Sequence, residues 1–131
     1  MHFLLDTNVL IALVDAHLDA LDRSSREAVT SPAAVNHASV ASLWEIAIKM
    51  RLGKLSLGVS LRLLPELIER MGLVMLVINS EHVLATVEPE PATRDPFDRL
   101  LLGQCQVENM RLVTLDRALD SHPLAWRADR F

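Results

Sequence analysis

The chain has 131 residues and 14.6 kDa, with 50% apolar residues and a mean hydropathy of +0.25, which suits one folded domain and argues against disorder. Lys+Arg 13 against Asp+Glu 17 leaves a net charge of −4, so a nucleic-acid binder that works by bulk positive charge is excluded. With 4% aromatic residues and no Tyr, extended base-stacking platforms are excluded as well.

Phe3-Leu4-Leu5 reads as a short buried strand that ends at Asp6-Thr7-Asn8, and Val9 to Val14 as the helix that follows. Ala16 to Val29 carries scattered charges, as a solvated helix does, and Ser31-Pro32 punctuates it. Ala34 to Ala38 suits a short strand. Ser39 to Arg51 reads as a helix, with Ser39 or Ser42 as N-cap and Gly53 as its stop. Ser60 to Met71 is a second helical pattern, in which Pro65 demands a late start or a kink, and Gly72 ends it. Val74 to Ile78 is apolar and rich in branched residues, hence a strand. Ser80 to Val87 reads as a short helix and Glu88 to Arg94 as a proline-rich loop. Pro96 to Asn109 is a helix, Leu112-Val113-Thr114 a strand and Asp116 to Leu119 a short helix; the tail from Trp126 to Phe131 gives no clear signal. Strands alternating with helices predict an α/β domain with a mainly parallel sheet and its functional groups at the strands' carboxyl ends.

Four acids fall where that architecture gathers chemistry. Asp6 directly follows the first strand and Asp116 lies just beyond the last. Asp98 lies in the first turn of the helix opened by Asp95-Pro96, and Glu45 interrupts the apolar run Leu43-Trp44-Glu45-Ile46-Ala47. Each also has a structural explanation. Asp6 and Asp116 suit helix N-caps, and Asp95, Pro96 and Asp98 suit the N-cap, N1 and N3 positions of one helix. Glu45 has Lys49 at i+4, a surface ion pair worth only about 0.3–0.5 kcal/mol. Taken together, however, converging carboxylates repel one another, and a hard divalent cation, Mg²⁺ or Mn²⁺, relieves that repulsion. Such a site suits metal-assisted phosphodiester hydrolysis.

Four segments also carry a resemblance: Leu4-Leu5-Asp6-Thr7-Asn8-Val9-Leu10, Ser42-Leu43-Trp44-Glu45-Ile46-Ala47-Ile48-Lys49, Arg94-Asp95-Pro96-Phe97-Asp98-Arg99-Leu100-Leu101 and Leu112-Val113-Thr114-Leu115-Asp116. In their order and spacing across nearly the whole chain, the sequence resembles the PIN-domain ribonucleases, specifically VapC-like toxins of type II toxin–antitoxin systems. The resemblance implies a single PIN domain over residues 1–131, a three-layer α/β/α domain with a mainly parallel central sheet. It implies an endoribonuclease using Mg²⁺ or Mn²⁺, with Asp6, Glu45, Asp98 and Asp116 as catalytic and metal-binding acids. Asp6 and Asp98 would be direct or water-mediated ligands. Glu45 and Asp116 would complete the cage or orient the attacking water. Asn8 and Thr114 would support these carboxylates by hydrogen bonds, Asp95 is a nearby fifth acid, and Arg99 is a solvated charge or a phosphate contact. Many relatives carry His two residues before the Asp-Pro-Phe-Asp string, where this chain has Thr93. The resemblance further implies an RNA substrate and a VapB-like antitoxin over the apolar helices near residues 39–71. A basic antitoxin side chain would enter the acid pocket, and the chain would form a homodimer or a toxin–antitoxin hetero-oligomer.

The remaining features are plainer. One cysteine, Cys105, excludes an internal disulfide framework and points to the cytoplasm. Asp6 and Asp15 interrupt the only run that resembles a signal peptide, and no membrane span is expected. Lys49, Arg51 and Lys54 form a local basic group. The five His show no metal-ligand spacing and read as structural or exposed, and Trp44 and Phe97 read as core residues. Two rivals remain. A phosphoryl-transfer domain also places Asp at strand ends, but its motifs want an Asp at Asn8, or paired early acids with a late Lys. A non-catalytic interaction module would use the acids only as caps.

Overall fold

The computed structural model describes residues 1–129. Its sheet has four strands, all parallel: β1 (His2–Leu5), β2 (Val35–Ser39), β3 (Val74–Leu76) and β4 (Arg111–Val113), in the order β3-β2-β1-β4. Around it lie the helices α1 (Thr7–Val14), α2 (Arg23–Thr30), α3 (Val40–Arg51), α4 (Leu64–Arg70), α5 (Ser80–Leu84), α6 (Pro96–Glu108) and α7 (Arg117–Asp120). This is the three-layer α/β/α architecture of a PIN-like fold.

Alternation along the strands makes two cores. Phe3, Leu5, Ala38 and Val113 pack on one side, with Val9 and Leu10 of α1, Val29 of α2, Ile46 of α3 and Ile68 of α4. Leu4 and Leu112 point the other way, against Leu101, Leu102 and Cys105 of α6 and Leu119 of α7. The register carries this pattern across the sheet, since Leu4 pairs with Leu112 and Leu5 with Val113. The α3 helix spans both cores, giving Ile46 to the first and Ala41 to the second.

The strand order reverses at β1. From β1 the chain builds outward through β2 to β3, then crosses back to place β4 on the other side of β1. The carboxyl ends of β1 and β4 therefore flank a topological switch point, where parallel sheets open a crevice. Both strands run into capped helices there: Asp6 caps α1 and Asp116 caps α7. Beside them β2 passes straight into α3, where Ser39 caps the helix by accepting the Ala41 N–H at 3.0 Å.

Several expectations change. Ala16 to Val29 is not one helix. Ala16 takes φ +58°, a 3₁₀ turn covers Leu18–Ala20, Leu21 is extended, and α2 begins only after Asp22, which accepts the Ser25 N–H. Pro65 does delay α4, whose first turn it occupies after a 3₁₀ turn at Leu61–Leu63. The strand β3 stops at Leu76, and α5 stops at Leu84. The tail is ordered through Trp126, whose N–H donates to Leu112 O at 2.8 Å while its ring meets Phe3 edge-on; Arg130 and Phe131 lie outside the described residues. Trp44 is not a core residue, being 59% exposed.

Close packing fixes α5 on α6. A Cβ on Gly103 of α6 would stand 2.7 Å from the His82 carbonyl oxygen of α5. Beneath that contact, the buried Gln104 joins three elements: its Oε1 accepts from Ser39 Oγ at 2.6 Å, and its Nε2 donates to Val77 O at 3.3 Å and lies 3.4 Å from His82 Nδ1. Replacing a helical glycine by alanine ordinarily gains up to about 1 kcal/mol. Here backbone meets the new methyl, and the overpacking cost of about 1–3 kcal/mol decides the sign. Gly103→Ala is expected to lower the midpoint of urea unfolding, with the slope unchanged; an unchanged or higher midpoint would mean that α5 yields freely.

Candidate active site

Asp6 is the centre of the site. It leaves β1 with its N–H donated to Val113 O of β4 at 2.9 Å, and it opens α1. Its carboxylate is almost wholly buried, 5% exposed for the residue. Both oxygens are held: Oδ1 accepts the Thr7 N–H at 2.7 Å and Oδ2 accepts the Thr114 hydroxyl at 2.6 Å. Thr114 Oγ1 in turn accepts the Asp116 N–H at 3.0 Å. One threonine after β4 thus ties together the two acids at the switch point.

The other acids approach from α3 and α6. Thr7 Oγ1 donates to Ser42 Oγ at 2.9 Å, and both residues are buried, so α1 and α3 are joined one turn before Glu45. The Glu45 side chain is 16% exposed and receives Lys49 Nζ at 3.0 Å. Asp95 caps α6 by accepting the Phe97 N–H at 2.9 Å, and Asp98 follows in the first turn with the Thr93 hydroxyl bonded to it.

Electrostatics shows how the acids share one field. Burial raises the Asp6 carboxyl above its ordinary range; the bonds from Thr114 and Thr7 oppose this, and repulsion from Glu45 and Asp116 adds to it. Burial likewise pushes Asp98 up to about 6, against the Thr93 hydrogen bond, with repulsion from Asp95, Asp6 and Asp116 adding. The charges that act most strongly on Asp6 and Asp98 are carboxylates. Asp6 therefore senses Glu45 and Asp116, and Asp98 senses Asp6 and Asp116.

That donor set fits a hard divalent cation, which takes carboxylate oxygens and keeps several waters. Among the described residues no three His, Cys, Asp or Glu side chains form a ready-made cage. Asp116 keeps one oxygen in reserve: Oδ1 caps Ala118 N at 2.9 Å, and Oδ2 has no hydrogen bond among the described residues.

The expected supporting residues divide. Thr114 bonds Asp6, whereas Asn8 is exposed and bonds none of the acids. Its place is taken by Thr7, which serves Asp6 through its N–H and Ser42 through its hydroxyl. Arg99 is paired with Glu90 at 3.0 Å. Thr7, Ser42 and Thr93 support the acids beyond the residues expected from sequence; Thr7 and Ser42 lie within the two motif segments, next to Asp6 and one turn before Glu45. Cys105 is buried, and burial pushes its thiol up, which leaves it unreactive.

The PIN domain family matches residues 3–123. The chain belongs to that family. No curated protein and no solved structure matches it significantly. PIN domains are generally metal-dependent nucleases that act on nucleic acids; in this PIN domain Asp6 and Asp116 stand at the switch point of the sheet. No helix among the described residues is long and apolar enough to cross a membrane.

The raised Asp98 sets a pH dependence. In the unfolded chain its carboxyl ionises near 3.8, in the fold near 6. Between those values the folded state binds the extra proton, so stability falls as pH rises through that window and stays lowered above it. Asp98→Asn removes this penalty. At pH 7.5 the metal-free variant is expected to melt about 2–5 °C above the native chain, the shift of roughly 1 kcal/mol in a domain of this size that remains once solvent screening of this half-exposed carboxyl is discounted. The gap should close as pH approaches 4. A variant that melts lower at pH 7.5 would show that Asp98 is held by favourable contacts instead.

Proposed function

We propose that this PIN domain is a metal-dependent endoribonuclease that hydrolyses RNA phosphodiester bonds, with Mg²⁺ or Mn²⁺ as its ion, and that it acts in the cytoplasm as the toxin of a VapBC-like type II toxin–antitoxin system. The observation that carries the enzymatic reading is Asp6: a buried carboxylate at the β1–β4 switch point, raised by the like charges of Glu45 and Asp116 and itself raising Asp98. Burying mutually repelling acids is costly, and a divalent cation is the simplest group that offsets the cost.

Asp6 and Asp98 are the residues that would hold the ion, with Glu45 and Asp116 completing the oxygen set or orienting the attacking water. When bound, the ion supplies Lewis-acid stabilisation of the charge on the phosphoryl oxygens and makes water a better nucleophile at neutral pH. Thr114 fixes the orientation of Asp6 and the position of Asp116. Thr7 and Ser42 set α3, and with it Glu45, against α1. Lys49 partly neutralises Glu45, which lets that acid stand near the others without full repulsion.

The toxin reading draws support from the four motif segments and from the surface between residues 39 and 71. Leu52 and Leu63 there are exposed at 63% and 55%, apolar side chains that a small antitoxin would cover.

Single-stranded RNA incubated with the purified chain is expected to be cut in Mg²⁺ or Mn²⁺ and to stay intact in EDTA. Asp6→Asn and Asp98→Asn should each lose at least about a hundredfold in rate while keeping their far-ultraviolet dichroism. Mn²⁺ should raise the melting temperature of the native chain more than that of either variant. A correctly folded native chain that cuts no RNA with any divalent ion would overturn the enzymatic reading, and phosphate incorporation in its place would favour a phosphoryl-transfer domain. Growth arrest on expression in a bacterial host, absent for Asp6→Asn, tests the toxin role.

A further inference from the structure

The site has an aromatic flank that the acids do not explain. Trp44 precedes Glu45 on α3 and Phe97 precedes Asp98 on α6. Their rings meet at 5.4 Å between centroids and 68° between planes, an edge contact across the two helices that carry those acids. Phe97 is half-buried, but Trp44 remains 59% exposed. A large indole held in place and left mostly in water is a feature that a stable core does not require.

Its surroundings suggest what it meets. Successive residues of a helix are separated by about 100°. On the first turn of α6, Phe97 and Arg99 therefore lie on opposite flanks, with Asp98 between them. The Arg99 flank opens on a cavity of about 510 Å³ lined by Glu90, Pro91, Arg94, Asp95, Pro96 and Arg99. A strand passing Asp98 would thus meet aromatic surface on one side and, on the other, Arg94 together with Arg99, whose guanidinium would exchange its Glu90 partner for a phosphate. Arginine on phosphate and an aromatic ring on a base are the two contacts by which proteins hold single-stranded nucleic acid.

We propose that Trp44, braced by Phe97, is the surface on which one nucleobase of a single-stranded RNA stacks beside the phosphate held at the acid site. The inference rests on the nuclease reading above and adds a substrate-binding residue to it. A single platform gives affinity for a base without choosing which base, because every base offers a π-face.

Two measurements test it separately from cleavage. In the Asp98→Asn background with Mg²⁺, where the strand should survive, a 12-nucleotide RNA is expected to quench tryptophan emission saturably. Adding Trp44→Phe should abolish most of that quenching although Trp126 remains, and an RNA with abasic sites should quench little at equal phosphate content. In the otherwise native chain, Trp44→Ala should raise KM for single-stranded RNA roughly tenfold, the size of one base–aromatic stack, with kcat changed less than twofold. Trp44→Phe should recover most of the loss. Unchanged KM in Trp44→Ala, or quenching that persists without the indole, overturns the proposal. So does a Trp44→Ala variant that binds RNA normally but changes only self-association or capture of a small protein partner, since the indole then belongs to a protein interface. If the native chain cuts no RNA but the indole-dependent quenching is present, the nuclease reading falls and the stacking site stands.

Discussion

A buried carboxylate at the end of a central strand is the constraint on which the rest of this molecule turns. Asp6 sits where β1 and β4 part company, and its charge is opposed by burial and by Glu45 and Asp116. Two hydrogen bonds, from the Thr7 N–H and the Thr114 hydroxyl, partly offset that opposition. Neither bond comes from a cation. The fold therefore keeps a concentration of negative charge that it could have dispersed by placing a lysine or arginine against Asp6. The one lysine that does approach, Lys49, pairs with Glu45 at the partly open edge of the cluster. Stability is given up locally, and the compensation lies in the two apolar cores on either face of the sheet.

The scaffold holds that arrangement through buried polar ties rather than through apolar packing alone. Thr7 to Ser42 joins α1 to α3; Ser39 to Gln104 joins the β2–α3 junction to α6; Thr114 joins β1 to the β4–α7 junction. Each tie is short, between 2.6 and 2.9 Å, and each connects elements that carry an acid of the site. Apolar side chains tolerate small slides past one another, whereas hydrogen-bonded pairs fix a register, and a site made of repelling groups needs a fixed register more than it needs extra burial. The close approach of α5 to Gly103 serves the same end from behind, by limiting how α6 can shift.

What the sequence discloses follows from which interactions are local. The strand β1, the caps Asp6 and Asp95, the delay imposed by Pro65 and the stop at Gly53 (φ +70°) all depend on neighbours within a turn, and all can be read from the chain. The break in Ala16 to Val29 was readable too, because Asp22 followed by Ser25 is a cap signal, but the scattered charges suggested one continuous solvated face. The exposure of Trp44 was half readable: two residues along the helix set it nearly opposite the buried Ile46, but the unbroken apolar composition around it hid that, and only the position of α6 decides that its ring meets Phe97. Asn8 and Thr7 differ in the same way: both follow Asp6, and the packing of α3 on α1 determines which of them faces inward. The parallel sheet was expected from the alternation of elements, whereas the reversal of strand order at β1, which brings β4 and Asp116 beside Asp6, is a long-range outcome.

Capping and chemistry are commonly treated as rival explanations of an acid at a helix start, and here they are not exclusive. A carboxylate has two oxygens, and a cap needs one. Asp116 spends Oδ1 on the Ala118 N–H and leaves Oδ2 without a hydrogen bond among the described residues. On α6 the two duties are divided between neighbours, with Asp95 as cap and Asp98 one turn face away, raised to about 6. Asp6 departs from this division, because Thr114 occupies its second oxygen. That bond leaves each oxygen of Asp6 a further lone pair, and it turns the hydroxyl oxygen of Thr114 toward the Asp116 N–H. The cap fixes the direction of each carboxylate, and a carboxylate with a fixed direction loses less entropy when an ion or a water arrives. In the metal-binding role proposed above, helix capping would thus prepare this crevice for ligation instead of competing with it.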